Sequence, residues 1–149
     1  MGLRNTLKQA VLEYLFKQTG MPATPSDGYI SLHTADPGGT GASELAGGAY
    51  ARAHFAPDPN NTTNTNFNAF TTVGSADETT NKADVVFPQA TADWNGAAPI
   101  KFWGYWSAAS GGTFYAGGAL NGSNGVIVLN GNTLRFMGGS PGQFKFDVS

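Results

Sequence analysis

The chain contains no cysteine, which excludes a disulfide framework, thiolate zinc and iron–sulfur ligation and a cysteine nucleophile. It is also poor in charge: Asp, Glu, Lys and Arg make up 12% of its 149 residues, about half the ~25% of an average soluble chain. Its surface therefore has to be built largely from Thr, Asn, Ser, Gly and Ala. The eight Lys and Arg, set against ten Asp and Glu for a net charge of −2, are scattered along the chain. Nucleic-acid binding requires clustered cations, so no such partner is predicted. No apolar run approaches the ~20 residues of a transmembrane helix, and Met1-Gly2-Leu3-Arg4 does not lead into a signal-peptide core, so neither a membrane span nor a visible export signal is expected. Gly2 and Thr6 satisfy the loose myristoylation pattern, but six residues match it too readily by chance to carry weight.

The motifs of catalysis and cofactor binding are missing as well. His33 and His54, the only two histidines, lie in apparent strands outside any metal-ligand spacing and read as structural. There is no Gly-x-Ser-x-Gly elbow. Gly38-Gly39-Thr40-Gly41 and Gly138-Gly139 lack the Lys-Ser/Thr of a phosphate loop and the strand-to-helix setting of a dinucleotide fold. Asp58, Asn60 and Asn61 are rich in oxygen but lack the register and terminal Glu of a calcium hand. Asp36, Glu44, Asp77, Glu78, Asp84 and Asp93 are the carboxylates a glycosidase could draw on. Most sit beside Gly, Pro, Asn or Thr, where an acid usually caps a turn. No catalytic residue, cofactor or metal is expected.

What is present is one domain's worth of chain in two styles. Leu3, Leu7, Val11 and Leu15, with Ala10 and Tyr14 beside them, recur at three- and four-residue intervals and predict an amphipathic helix over residues 3–17. Leu12 and Phe16 lie off that stripe and give the helix a second apolar edge, while Gly20, Pro22 and Pro25 end it. Residues 1–20 form a helical arm, packed on its own domain or docked on a neighbouring subunit. Residues 21–149 form the β domain.

Beyond Pro25, short β-branched and aromatic runs alternate with turn residues. Strands are predicted at 29–34, 49–55, 70–73, 83–87, 100–107, 113–120, 125–129, 133–136 and 143–148. The expected fold is mainly β: an antiparallel sandwich or jelly-roll-like domain of about eight or nine short strands with one N-terminal helix. Asp36-Pro37-Gly38, Ser110-Gly111-Gly112, Asn121-Gly122 and Asn130-Gly131 supply positive-φ turns. In the last strand Phe144, Phe146 and Val148 should point inward, with Lys145 and Asp147 outward.

Three segments draw attention as binding elements. Ile100 through Trp106 is too apolar for a half-exposed strand, so both faces should be covered, one by the core and the other by the helix or another chain. Trp103 and Tyr105 thereby join Leu3, Leu7, Val11 and Leu15 as candidate interface residues. Residues 56–80 read as a polar loop anchored by Phe67, Phe70 and Val73, in which Asn60, Asn61, Thr62, Asn64 and Asn66 form a candidate recognition surface. Trp94, Trp103, Tyr105 and Trp106 could instead form a sugar-stacking platform, which makes a carbohydrate-binding host-recognition module, contacting a host surface glycan, the alternative function.

Tyr29-Ile30-Ser31-Leu32-His33-Thr34-Ala35-Asp36-Pro37-Gly38, Thr40-Gly41, Glu44 and Gly47-Gly48-Ala49-Tyr50-Ala51-Arg52 form an ordered set of short motifs. Val86-Phe87-Pro88-Gln89-Ala90-Thr91-Ala92-Asp93-Trp94, Phe102-Trp103-Gly104-Tyr105-Trp106, Ser110-Gly111-Gly112 and Thr133-Leu134-Arg135-Phe136 continue it. Together they resemble a group of small bacteriophage structural proteins, often labelled tail fibre or minor tail proteins, over nearly the whole chain. That group commonly has His at position 102 and Asp at 107, where this chain has Phe102 and Ser107. The resemblance implies a non-enzymatic virion component, made in the bacterial host cytoplasm and attached to other virion proteins, in the tail or fibre or as a head decoration. A low-charge β domain joined to copies of itself through an apolar helix fits a closed homo-oligomer, a trimer by preference.

Overall fold

A computed structural model of the chain describes residues 5–17, 27–57, 66–69, 71–73, 76–120, 124–139 and 142–148. Among them lie one α-helix, a short 3-10 helix (Trp94–Ala97) and nine strands: α1 (Asn5–Lys17), β1 (Tyr29–His33), β2 (Ala53–His54), β3 (Thr71–Val73), β4 (Ala76–Thr80), β5 (Val85–Gln89), β6 (Phe102–Trp106), β7 (Phe114–Ala119), β8 (Thr133–Phe136) and β9 (Lys145–Val148). The strands form a four-stranded sheet in the order β2-β1-β6-β7, a three-stranded sheet β3-β4-β9 and a ribbon β5-β8. Every pairing is antiparallel. The mainly β architecture with a single N-terminal helix is as the residue pattern predicts.

The four-stranded sheet organises the rest. Residues directly opposite in an antiparallel pair share a face. The β1–β6 register sets Ile30 against Tyr105 and Leu32 against Trp103 on one face, and Ser31 against Gly104 and Tyr29 against Trp106 on the other. The first face meets the remaining sheets in the main core. Trp103 packs edge-on against Phe144 and Phe146, Phe55 stacks on Phe146, and Phe67 closes on both Phe55 and Phe146. Burying an aromatic or branched side chain contributes roughly 1.5–3 kcal/mol, so Trp103, Phe55, Phe144 and Phe146 are each substantial contributors to stability. Phe67 is therefore an anchor, as predicted; the side chains of Phe70 and Val73 lie outside the described residues.

The strand list differs from expectation in three places, each for a local reason. In the 49–55 segment only Ala53 and His54 pair, because Gly47, Gly48 and Ala49 all take positive φ and Tyr50 N–H closes a turn on the Gly47 carbonyl. The 125–129 segment keeps a period-two burial pattern, with Val128 buried and Ile127 and Leu129 exposed. It nevertheless forms a single bridge, Val126 to Ile100, and then turns its Val128 carbonyl toward Trp94 N–H. Within the supposed polar loop, β4 is a strand built from Ala-Asp-Glu-Thr-Thr. It is held between β3 and β9, with the Thr79 hydroxyl donating to the Asn68 carbonyl. Of the predicted turn glycines, Gly38, Gly111, Gly112 and Gly131 have positive φ, and Asn121-Gly122 lies outside the described residues. In β9, Phe146 is buried beside exposed Lys145, and Phe144 just before the strand is buried; the exposure of Asp147 and Val148 is outside the described set.

Candidate functional site

The second face of the four-stranded sheet collects the residues of the N-terminal half's motifs. Loop 34–44 folds back over it, tied at its ends by Thr34 N–H to the Ser43 carbonyl and Leu45 N–H to the Leu32 carbonyl. Beneath the loop lie Trp106 and Phe114, whose ring centroids are 5.0 Å apart. A Cβ on Gly41 would overlap the Trp106 and Phe114 rings, and a Cβ on Gly117 would press on Pro37, so glycine is required for loop and sheet to approach this closely. The apolar β6 run is thus covered on both faces, as its composition predicts, but the second cover is the chain's own loop.

Ser31 and His33 are fully buried under that loop. The His33 Nδ1 lies 2.7 Å from the Ala42 carbonyl, which can only accept, so Nδ1 carries the hydrogen. Nε2 is then an acceptor for the Ser31 hydroxyl at 2.6 Å, and Ser31 Oγ in turn accepts Trp106 Nε1–H at 2.8 Å. Burial, the largest influence, holds the His33 pKa below its ordinary value, against the opposing pull of the Ala42 carbonyl and the Glu44 charge. A serine and a histidine at this distance have the spacing of a nucleophile and base. Here the serine hydrogen bonds are filled from both sides and no substrate can reach it.

Arg52 seals the same cover. Its side chain is 6% exposed and makes a fork to Glu44, Nε to Oε1 at 2.8 Å and Nη2 to Oε2 at 2.7 Å. Its Nη1 donates to the Ala108 and Gly111 carbonyls of the β6–β7 turn, both at 2.8 Å, and its guanidinium lies 3.8 Å from the centroid of the Trp106 ring. Tyr50 completes the network: its hydroxyl accepts Leu32 N–H at 2.9 Å and donates to Glu44 Oε1 at 3.2 Å. Burial, foremost, raises the Tyr50 pKa above the ordinary phenol range. The tight spacing of Glu44, Tyr50 and Arg52 in the sequence serves this network.

The carboxylates considered for catalysis do not pair with one another in this way. Asp36 caps Gly38 N–H, Asp93 caps Asn130 N–H, Glu78 pairs with Lys145, and Asp84 pairs with Arg135 while accepting Gly138 N–H. The side chain of Asp77 is outside the described set. On the surface, Asp27 accepts from the Tyr29 hydroxyl, Gly28 N–H and His54, and the Tyr29 bond is the main reason its carboxyl titrates below the usual range. Among the described residues no group of three or more His, Asp or Glu gathers as a metal site.

The sugar-stacking platform is not formed. Trp94 and Trp103 are 2% exposed and Trp106 is 9% exposed. Trp94 Nε1–H donates to the Gly48 carbonyl, Trp103 lies in the main core, and Trp106 lies under the loop. No tryptophan face is free for a sugar, because each indole is the largest apolar group its neighbourhood has to bury.

The candidate interface residues are placed in two different settings. Trp103 is core, and Tyr105 is half-buried with its hydroxyl on the Phe55 carbonyl, so β6 offers Trp103 to no partner in the folded chain. On α1, Val11 is half-buried while Leu12, Tyr14, Leu15 and Phe16 are exposed. Leu3 and the side chain of Leu7 lie outside the described residues, as do Asn60, Asn61, Thr62 and Asn64 of the recognition loop. Asn66 is described: its amide donates to the Ala56 carbonyl at 2.8 Å and its carbonyl accepts Lys82 N–H at 2.7 Å, which closes the base of that loop.

No curated protein matches the chain. Residues 2–141, spanning the helix, the loop 34–44 cover and every strand but the last, match the family described as Podophage GP4 fiber I protein gp80. The chain belongs to that family of phage fibre proteins, which makes it a component of the virion.

Proposed function

We propose that the chain is a non-enzymatic structural component of a phage fibre that self-associates and docks on other virion proteins through its N-terminal arm, residues 1–20. The observation that carries this reading is α1. A helix of 13 residues is marginal in water by itself and owes its persistence to packing of an apolar face. Yet Leu12, Tyr14, Leu15 and Phe16 are exposed, up to 80% for Phe16, while Gln9, Glu13 and Lys17 line a polar face through i,i+4 contacts. Leu3, Leu7, Val11 and Leu15 are the proposed contact stripe, with Leu12 and Phe16 widening it. Residues 21–149 are the β domain that the arm carries, and the oligomer is a trimer.

Family membership supports the fibre over a head-decorating position. It also supports the absence of catalysis, since the buried Ser31 and His33 have no access to a substrate. The Asn60, Asn61, Thr62 and Asn64 loop is proposed as the outward-facing surface, held at its base by Asn66. Deleting residues 1–20 tests the arm: the truncated protein should remain folded, sediment as a monomer and fail to enter particles. Normal incorporation of the truncated protein would overturn the assignment.

A further inference from the structure

We propose that loop 34–44 is an acid-operated cover: uptake of one proton by His33 releases the loop and uncovers the aromatic face formed by Trp106 and Phe114. The reading is independent of how the protein assembles. It rests on a hydrogen-bond chain that is complete in only one protonation state. Trp106 Nε1–H donates to Ser31 Oγ, the Ser31 hydroxyl donates to His33 Nε2, and His33 Nδ1–H donates to the Ala42 carbonyl of the loop. A proton placed on Nε2 turns that nitrogen into a donor. Ser31 Oγ must then accept from both Trp106 and His33, and its own hydrogen loses its acceptor in a site sealed from water.

The two charges nearest the ring offset each other, and burial outweighs what the Ala42 carbonyl offers the imidazolium. From β1 the neighbour is Ser31, from β6 Gly104 and Trp106, and from β7 Phe114, whose ring centroid lies 6.4 Å away. The loop contributes the Ala42 carbonyl and Glu44, and the 50–52 segment contributes Arg52 and, through Glu44, Tyr50. Glu44 and Arg52 are the charges acting on His33 among the described residues, and they oppose each other as a closed fork. The simplest relief is for the loop to lift, because opening returns the imidazole to water. His33 in the closed state titrates below its ordinary value, burial being the main cause. The sign follows: the cover is tightest above pH ~6.5, the ordinary histidine value, and loosens as pH falls from there toward the lowered value of the closed state.

The test uses the full chain and needs no variant for its main readout. Hydrogen exchange, corrected for the intrinsic pH dependence of amide exchange, is measured at Thr34, Gly41, Ala42 and Leu45 N–H of the cover and at Ile100, Leu120 and Val126 N–H of the core. The imidazole titrations of His33 and His54 are followed by NMR in parallel. Expected is a loss of protection in the cover alone that begins near pH ~6.5, approaches tenfold per pH unit, the limit for one proton, and levels off where His33 itself titrates. In His33→Gln, which keeps the Glu44–Arg52 fork and carries no titrating ring, the loosening on acidification should disappear. Cover and core amides losing protection together, His33 titrating while the cover stays protected, or the same acid loosening retained in His33→Gln would each overturn the proposal.

Discussion

The two faces of the four-stranded sheet are held by different physics. On the main face Ile30, Leu32 and Trp103 meet Phe55, Phe144 and Phe146 through contacts that are apolar and tolerant of direction. The only buried side-chain polar atom left without a partner among the described residues, Trp103 Nε1, is found there. On the other face Ser31, His33 and Trp106 are joined by hydrogen bonds, and Arg52, stacked on Trp106, is bonded to Glu44 and two turn carbonyls, each bond with a fixed donor and acceptor. The difference separates what keeps the domain folded from what fixes one loop in place. Loss of packing on the first face should threaten the whole fold, and loss of a bond on the second should first free the loop.

Trp103→Ala is the harshest test of that division. Removing the indole from the centre of the aromatic cluster should cost about 3–5 kcal/mol and unfold much of the protein at 37 °C, read from urea denaturation with a global probe. A loss below about 1 kcal/mol, small on the scale of core truncations, would mean that the main face is not the stabilising one. Arg52→Ala should come next. It leaves the Glu44 carboxylate with only the Tyr50 hydroxyl and takes the Arg52 donor from two turn carbonyls, and since Glu44 keeps some contact with water the cost should be about 2–3 kcal/mol, below that of a fully buried pair. Arg52→Lys keeps the charge but not the fork, and should recover less than half of that loss. Equal stability of the Lys variant and the parent would show that charge, not geometry, holds the cover.

Tyr50 sharpens the comparison because it touches both faces. Its ring packs on Trp94 and Phe87 while its hydroxyl serves Leu32 N–H and Glu44. Tyr50→Phe keeps the ring and orphans one backbone donor, for an expected cost of about 1–2 kcal/mol. The pH dependence follows from the raised pKa of the folded state. The stability contributed by the neutral phenol is fully present below pH ~10 and is lost as pH rises above it, where the unfolded chain ionises first. Tyr50→Phe should therefore flatten the alkaline loss of stability. It should not abolish it, since Tyr105 and Tyr29 are shifted in the same direction.

The same division explains what could be read without coordinates. Strands rich in branched and aromatic residues carry their signal in themselves: Thr133–Phe136 has the predicted bounds, with Leu134 and Phe136 turned inward between exposed Thr133 and Arg135, and Tyr29–His33 falls within one residue of them, although its Ser31 and His33 are buried as fully as Ile30 and Leu32. β4 had no such signal, since a polar Ala-Asp-Glu-Thr-Thr run becomes a strand only when β3 and β9 flank it. The cover was invisible for a related reason. Arg52 reaches the turn carbonyls of Ala108 and Gly111 across more than fifty residues, and no local pattern encodes which arginine meets which turn. The positive φ of Ala49 likewise defeated a strand reading that β propensity favoured. Glu44, Tyr50 and Arg52 were legible as a motif, but not as the three members of one network.

The helix supplies the smallest predicted effect on stability and the largest on assembly. Leu15 and Phe16 are exposed, and a change at an exposed position away from such networks usually moves stability by no more than about 0.5 kcal/mol. Leu15→Ser with Phe16→Ser should therefore leave the denaturation midpoint of the β domain where it was. If α1 is the docking arm, the same double variant should lose self-association in sedimentation and fail to enter particles, because two of its widest apolar contacts are gone. A shift of the midpoint by more than about 1 kcal/mol would place α1 against its own β domain instead, and the contact that joins copies would then have to be sought among the exposed side chains Val86, Ile127, Leu129 and Met137.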